Sequence, residues 1–475
     1  MRHIDRIYID GDFVEPHGRE LFDLHNPATG AVIGRVRLGD EEDTRRAIAA
    51  AKRALPVLGT MTKAERVALL KEMQSSMQAG TAELTEAVIE EYGAPVSRAA
   101  WMAQYAADSI GVAAATLEAY DFRQRIGSAE IFMEPVGVVG LITPWNSNAG
   151  FICNKLAYAL AAGCTAVIKP SEMSAFQTEI VLNRLHAAGV PRGFYNVVNG
   201  RGDVVGAELT RHPDIAKISF TGSTAVGKAI LRGAAETIKR VTLELGGKSP
   251  TLILDDADLP AVIPAILEAG FMNSGQACIA GTRVLISEQR RAELERFITA
   301  AMAQVRVGDP RDPATAVGPM VSRKQYERVQ GYIRKGIDEG ARLLVGGEGH
   351  PDGLGGFFVR PTVFSDVRNE MVIAREEIFG PVLSILTYRD EEEAIAIAND
   401  TTYGLSAYVL SSDPAHAERV AARLQSGRVV INGAPHEPRA PFGGFKQSGL
   451  GRENGIFGLE TYLEAKTVLG SRPAA

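Results

Sequence analysis

Val136-Gly137-Val138-Val139-Gly140-Leu141-Ile142 runs between Pro135 and the turn Thr143-Pro144-Trp145-Asn146. It is short, apolar and rich in β-branched residues, so it reads as a strand buried on both faces. The segments after it repeat the theme. Phe151 to Ala162 reads as a helix, Thr165 to Ile168 as a buried strand, Phe176 to Ala188 as a helix and Asn196-Val197-Val198 as another strand. Ala216 to Phe220, Arg240 to Leu243 and Thr251 to Leu254 continue in the same style. Continuous apolar strands alternating with helices imply a parallel sheet covered on both faces, and such sheets bind nucleotides beyond the carboxyl ends of their strands. The loops that begin at Thr143, Lys169, Thr221 and Glu244 therefore lie where a ligand would sit.

Working outward, the first 35 residues alternate turn signals (Asp10-Gly11, Asn26-Pro27, Thr29-Gly30) with short β-prone runs, which suggests small edge strands. From Asp43 to about Leu117 apolar residues recur at helical intervals, as in Val67, Leu70 and Met73. A second strand and helix series follows residue 255, so the expected class is α/β with two such domains. Ile131-Phe132-Met133 and Thr461-Tyr462-Leu463 stand apart from this pattern and are expected to form an edge used between subunits. The Gly-rich stretch 346–357 reads as an exposed loop.

The chain has 475 residues, room for two or three domains. It carries 51 Lys and Arg against 57 Asp and Glu, a net charge of −6 with no basic block, which argues against nucleic acid or an anionic membrane as partner. The longest nearly apolar stretch, Leu156 to Ile168, is too short to span a bilayer. No apolar segment opens the chain, and its three cysteines are too few and irregular for a disulfide framework. A reducing, cytoplasmic setting is expected.

Cys153 lies in an apolar helix and Cys164 opens a buried strand, the ordinary settings of an inert thiol. Cys278, in Asn273-Ser274-Gly275-Gln276-Ala277-Cys278-Ile279, has small polar neighbours that leave room for a ligand, so it is the candidate nucleophile. That role requires local activation. Glu244 sits between two leucines before Gly246-Gly247-Lys248, where desolvation would raise its pKa towards that of a useful general base; the plainer alternative is an ion pair with Lys248. Asn146 follows a strand and could donate to an oxyanion, or simply close an Asx turn. Phe220-Thr221-Gly222-Ser223 precedes a helix and suits a phosphate at the helix N-terminus, or a tight connection only. It is not the G-x-G-x-x-G fingerprint. Lys169-Pro170-Ser171-Glu172 offers a carboxylate for ribose hydroxyls, or a helix cap at Ser171 or Ser174.

In order and spacing, these motifs resemble the large NAD(P)-dependent aldehyde dehydrogenase superfamily, from about residue 8 to about residue 468. The matching runs are Thr143–Asn146, Lys169–Glu172, Phe220–Ser223, Leu243–Lys248, Gly275–Cys278, Glu376–Val382 and Pro441–Gly449. The resemblance implies a Rossmann-like cofactor domain (1–117 and 136–246), a catalytic α/β domain (247–446) and β segments for oligomerisation (118–135 and 447–475). It also implies Cys278 as nucleophile, Glu244 as general base and Asn146 as oxyanion donor. Lys169, Ser171, Glu172, Gly222, Ser223 and Trp145 would contact the adenosine and pyrophosphate of NAD, with Glu377 and Phe379 at the nicotinamide riboside. No metal is implied. The implied reaction oxidises a small-molecule aldehyde to an acid in a homo-dimer or homo-tetramer. A CoA-acylating semialdehyde dehydrogenase and a non-catalytic protein of the same fold are the alternatives. Ser147-Asn148-Ala149-Gly150 and Asn154 replace bulkier residues frequent in the family, and a polar loop precedes Phe442. Ser147, Asn154 and Phe442 are thus expected to line a roomy, polar substrate pocket, unless these side chains turn away from it.

Overall fold

The computed structural model describes residues 1–470. The end of the 447–475 segment expected to serve oligomerisation, residues 471–475, lies outside the described residues.

The first α/β unit is built on five parallel strands: β1 (Val139–Ile142), β2 (Ala166–Lys169), β3 (Tyr195–Val197), β4 (Lys217–Thr221) and β5 (Arg240–Glu244). They lie in the order β5-β4-β1-β2-β3. Antiparallel strands Ile7–Ile9 and Asp12–Val14 extend the β3 side, and Gly449–Leu450 pairs with β5. Side chains alternate across the sheet. Val139 and Leu141 join the core formed with helices α1 (Val96–Ala119), α2 (Asn148–Ala162) and α3 (Ala175–Ala187), while Ile142 joins the opposite core, which includes Ile230 of α4 (Thr224–Ala235). Both faces are therefore covered, and apolar side chains point to both of them. The connection reverses between β1 and β4, which opens a crevice at their carboxyl ends.

The expected strand at 136–142 is shorter than its apolar run. Gly137 adopts φ +125° and the Val136 N–H donates to the Tyr462 carbonyl at 3.0 Å, so regular pairing begins only at Val139. Glycine at 163, with φ +94°, stops α2 and turns the chain into β2.

The second unit includes the helix α5 (Leu259–Phe271), which follows its first strand. Its strands are β6 (Pro250–Ile253), β7 (Arg283–Ser287), β8 (Thr362–Ser365), β9 (Val382–Tyr388), β10 (Ser406–Leu410) and β11 (Arg428–Ile431). They are parallel, in the order β8-β9-β7-β6-β10-β11, with Arg342–Val345 antiparallel at the β8 edge.

Ile131-Phe132-Met133 and the strand that starts at Leu463 do form one small sheet, but they pair with each other, Thr467 opposite Ile131, and Arg123–Ile126 adds the third strand. Residues 449–460 stay with the first unit, because Gly449–Leu450 extends its sheet and the helix Gly455–Glu460 packs on α1 and α2. Among the described residues no helix is long and apolar enough to cross a membrane.

Candidate active site

The chain reaches Cys278 through a constrained turn. After α5, Asn273, Ser274 and Gly275 take φ of 55°, 58° and 73° in succession. The first two are costly for side-chain-bearing residues. At Gly275 any Cβ would stand 2.2 Å from the Gly380 carbonyl, so only glycine fits. The turn is bolted in place by side chains. Gln276 Oε1 accepts from Val321 N at 2.9 Å, its Nε2 donates to the Pro319 carbonyl at 3.2 Å, and Ser274 Oγ accepts from Gly318 N at 2.8 Å. Cys278 is half-buried, whereas Cys153 and Cys164 are fully buried.

Burial pushes the Cys278 thiol up to about 12, and the Glu377 and Glu244 carboxylates add to the rise. The backbone N–H groups of Cys278 and Ile279 pull the other way by donating towards the sulfur. In this state the thiol keeps its proton, so the ionised sulfur a nucleophile needs must form as the reaction begins.

Asn146 lies four residues beyond the end of β1. Its Nδ2 donates to the Gln276 carbonyl at 3.1 Å, and Asn273 Nδ2 donates to that same carbonyl at 3.1 Å. The carboxamide is thus tied to the loop that carries the thiol, at the end of the strand where the sheet's crevice opens.

Glu244 is the last residue of β5, 2% exposed, and neither carboxylate oxygen has a hydrogen-bond partner among the described residues. Burial holds its pKa well above the usual carboxylate range, with the Glu453 charge adding to the rise and Lys155 and Arg452 opposing it. The alternative ion pair with Lys248 does not form: the Lys248 Nζ is buried without a hydrogen-bond partner among the described residues. Beside Glu244 lies a buried cluster invisible to local motifs. Lys155 of α2 pairs with Glu453 and donates to Ser219 Oγ of β4 at 3.0 Å.

Asn146, Glu244 and Cys278 all line one cavity of about 970 Å³. Trp145, Glu377 and Phe379 line it near the thiol. Glu377 Oε1 accepts from Gly247 N at 3.0 Å, and burial pushes its carboxyl up to about 7. Phe379, at φ +61°, meets the Trp145 ring edge-on at 5.3 Å between centroids. Thr221, Gly222 and Ser223 bring the N-terminus of α4 to the wall, and Ser223 Oγ caps it by accepting from Val226 N at 3.4 Å. Further along, Glu172 and Arg201 line the cavity.

Not every expected residue reaches this wall. Lys169 Nζ donates to Glu172 Oε2 at 2.9 Å and to the Pro170 carbonyl, while Ser171 Oγ accepts from Met173 N at 3.3 Å. Both sit behind Glu172 and hold it, rather than lining the cavity themselves. The expected pocket residues Ser147, Asn154 and Phe442 also lie off this cavity. Asn154 is enclosed within α2 at 3% exposure. Phe442, whose backbone pairs with that of Glu453, is half-buried and is not among the residues lining the cavity. Ser147 Oγ is buried without a partner among the described residues, on the side facing Gly150 and Tyr105. No cluster of three or more metal-binding side chains occurs among the described residues.

The arrangement combines a thiol, an amide donor and an unpaired carboxylate with a cavity that a helix N-terminus helps to line. The fit to a dinucleotide is specific: free N–H groups at α4 suit a pyrophosphate, and Glu172 suits ribose hydroxyls. Glycines at 222 and 246 keep the lining bare, since a Cβ at Gly246 would stand 2.4 Å from Glu377 Oε2. Comparison with known proteins agrees. The family model described as the aldehyde dehydrogenase family matches residues 13–468. A 3-succinoylsemialdehyde-pyridine dehydrogenase from a Pseudomonas species is 46% identical over 474 residues, covering 99% of each chain. Aldehyde dehydrogenase C of Pseudomonas syringae, solved as a mutant with NAD+ and octanal, superposes with a TM-score of 0.97 at 43% identity, covering 99% of this chain and 98% of that one. An aldehyde dehydrogenase of Mycobacterium tuberculosis complexed with NAD+ gives a TM-score of 0.95 at 40% identity, with 98% of each chain covered. The chain belongs to the aldehyde dehydrogenase family.

Proposed function

We propose that Cys278, Asn146 and Glu244 are the working groups of an NAD-dependent oxidation of an aldehyde to a carboxylic acid. The observation that carries this reading is that all three line one cavity of about 970 Å³. The chain is an enzyme of this class, and the aldehyde is its substrate. Glu172, Gly222, Ser223, Glu377, Trp145 and Phe379 hold NAD, and Lys169 and Ser171 fix Glu172. When bound, NAD supplies a hydride acceptor at its nicotinamide.

Cys278 Sγ adds to the aldehyde carbon and gives up its proton as it does so. Glu244, with both oxygens free, is the acceptor on the same wall, and its raised pKa makes it a stronger base than an ordinary carboxylate. The new oxyanion accepts from Asn146 Nδ2, which exchanges its bond to Gln276, and from the Cys278 backbone N–H. Loss of hydride leaves a thioester on Cys278. Glu244 passes the proton it took from the thiol to solvent and then deprotonates a water that attacks this thioester; the leaving thiolate takes that proton back from Glu244, and the acid departs with the thiol restored. A CoA-acylating enzyme would not need this base.

Glu172 also favours NAD over NADP, because its carboxylate would repel a 2′-phosphate. Exposed apolar side chains on α4 (Val226, Leu231), at the sheet edge (Leu450) and on the helix Gly455–Glu460 (Ile456, Phe457) support a homo-dimer or homo-tetramer. A reducing cytoplasm suits three cysteines that all remain thiols. The test is product analysis: NADH and free acid form in equal amounts without CoA. An absolute requirement for CoA, or formation of an acyl-CoA instead of the acid, refutes the hydrolytic role of Glu244.

A further inference from the structure

Two carboxamides meet on one backbone oxygen in the turn that carries the thiol. The Gln276 carbonyl accepts from Asn146 Nδ2 and from Asn273 Nδ2, each at 3.1 Å. Asn273 Nδ2 also donates to the Asn146 main-chain carbonyl at 3.4 Å. Only the donor end of a carboxamide can face two carbonyl oxygens, so its surroundings fix which way the Asn273 side chain points. Asn273 therefore touches both the backbone of the oxyanion donor and the acceptor that holds that donor's side chain. It does so from a buried position, 7% exposed, and the Gln276 N–H returns a bond to the Asn273 carbonyl at 3.0 Å.

This placement carries two local costs. Asn273 holds φ 55° and ψ 37°, a left-handed conformation uncommon for residues with side chains, and its Oδ1 is buried without a hydrogen-bond partner among the described residues. Costs of this kind persist only where the surroundings impose them, and they gather at functional sites. A use for them is at hand. Asn146 must leave the Gln276 carbonyl to reach the oxyanion. That carbonyl cannot follow, because the Gln276 side chain is tied to Pro319 and Val321. Gln276 is 1% exposed, so bulk water cannot replace the lost donor. A buried carbonyl left without any donor opposes the step that strands it. With Asn273 Nδ2 already on the same oxygen, nothing is stranded when Asn146 turns away.

We propose that Asn273 is a positioning residue for oxyanion formation: it braces the Asn146 backbone and keeps the Gln276 carbonyl hydrogen-bonded while Asn146 Nδ2 exchanges that carbonyl for the oxyanion. The inference rests on the oxyanion role of Asn146 stated above and names the group that lets the exchange proceed. Asn273 is not among the residues lining the cavity, so it acts through Asn146.

The experiment is a double-mutant cycle in the full chain. Asn273→Gly is the first variant, because glycine adopts the left-handed conformation freely and only the side chain is lost. Asn273→Asp is the second: aspartate also tolerates this backbone region, keeps the shape and replaces the N–H donor by an acceptor. Each is made alone and together with Asn146→Ala. The readout is kcat with propanal, from NADH formation per NADH-binding site counted by fluorescence titration, so unfolded protein does not enter. Both tetrahedral intermediates, before hydride loss and during thioester hydrolysis, carry the oxyanion, so kcat reports the exchange whichever step limits. Each variant alone is expected to lower kcat by about tenfold or more, the effect of a stranded buried carbonyl, with KM for NAD unchanged. Beside Asn146→Ala the same substitution should change kcat by less than about threefold, because no exchange is left to assist. The charge that Asp adds acts in both backgrounds and cancels in the comparison. Equal falls in both backgrounds, or an undiminished kcat in Asn273→Gly, overturn the proposal alone. An Asn146→Ala enzyme as fast as the wild type overturns it together with the oxyanion reading on which it rests.

Discussion

The thiol at Cys278 allows a quantitative test of the chemistry. An isolated cysteine ionises near 9, and burial with two carboxylates nearby pushes this one up to about 12. The difference corresponds to about a thousandfold less thiolate at neutral pH, or about 4 kcal/mol against ionisation. Iodoacetamide reacts with the thiolate, so the apoenzyme should be alkylated at pH 7.5 about a thousandfold more slowly than a small-molecule thiol of ordinary pKa. The sign follows from the shift. Because the folded pKa is raised, the rate should climb about tenfold per pH unit from pH 7 to pH 10 without levelling. Glu377→Gln removes one of the two carboxylates that raise it and should speed alkylation. Peptide mass analysis assigns the site: Cys153 and Cys164 are fully buried and should stay unmodified in the native enzyme. A plateau in rate between pH 6 and pH 8 would mean a thiolate already present, and would refute the conclusion that deprotonation accompanies substrate addition.

Other consequences are equally concrete. Asn146→Ala should lower kcat by about 10²–10³, the range for a lost oxyanion donor, with little change in NAD affinity; an effect confined to KM would deny it that role. Glu172→Gln should move the kcat/KM ratio of NADP to NAD upward by about tenfold, as removal of one repulsive charge near a phosphate predicts; an unchanged ratio would mean that Glu172 does not face the ribose. Gly275→Ala must fit a Cβ 2.2 Å from the Gly380 carbonyl at φ +73°, so it should cost about 1–3 kcal/mol or more, lower Tm and abolish activity. A fully active, equally stable Gly275→Ala enzyme would show that the turn is not rigid.

Much of this was legible from residue order. The five parallel strands are visible because apolar residues recur on both of their faces, most plainly in Val139–Ile142, and the residues near their carboxyl ends, Asn146, Glu172, Gly222 and the terminal Glu244, line the cavity for the same topological reason. Strand ends were less visible. Val136 to Val138 are as apolar as the strand they precede, and only the backbone angle of Gly137 excludes them. Residues assigned by resemblance were legible when the backbone itself carries them to the wall, as at Cys278, and less so when a side chain's direction decides. Lys169 turns to Glu172, and Asn154 is enclosed within α2. The Lys155–Ser219–Glu453 cluster left no local trace, since Lys155 and Glu453 lie 298 residues apart and meet only through tertiary packing.

The central claim is that the acyl group passes through a thioester on Cys278 that Glu244 water hydrolyses. Glu244→Gln should stall the reaction after hydride loss. Mixed with propanal and NAD, quenched and digested, this variant should give one burst of NADH per active site and a propionyl adduct on the peptide containing Cys278. An unmodified Cys278 peptide alongside that burst, or steady turnover at the wild-type rate, would contradict the account.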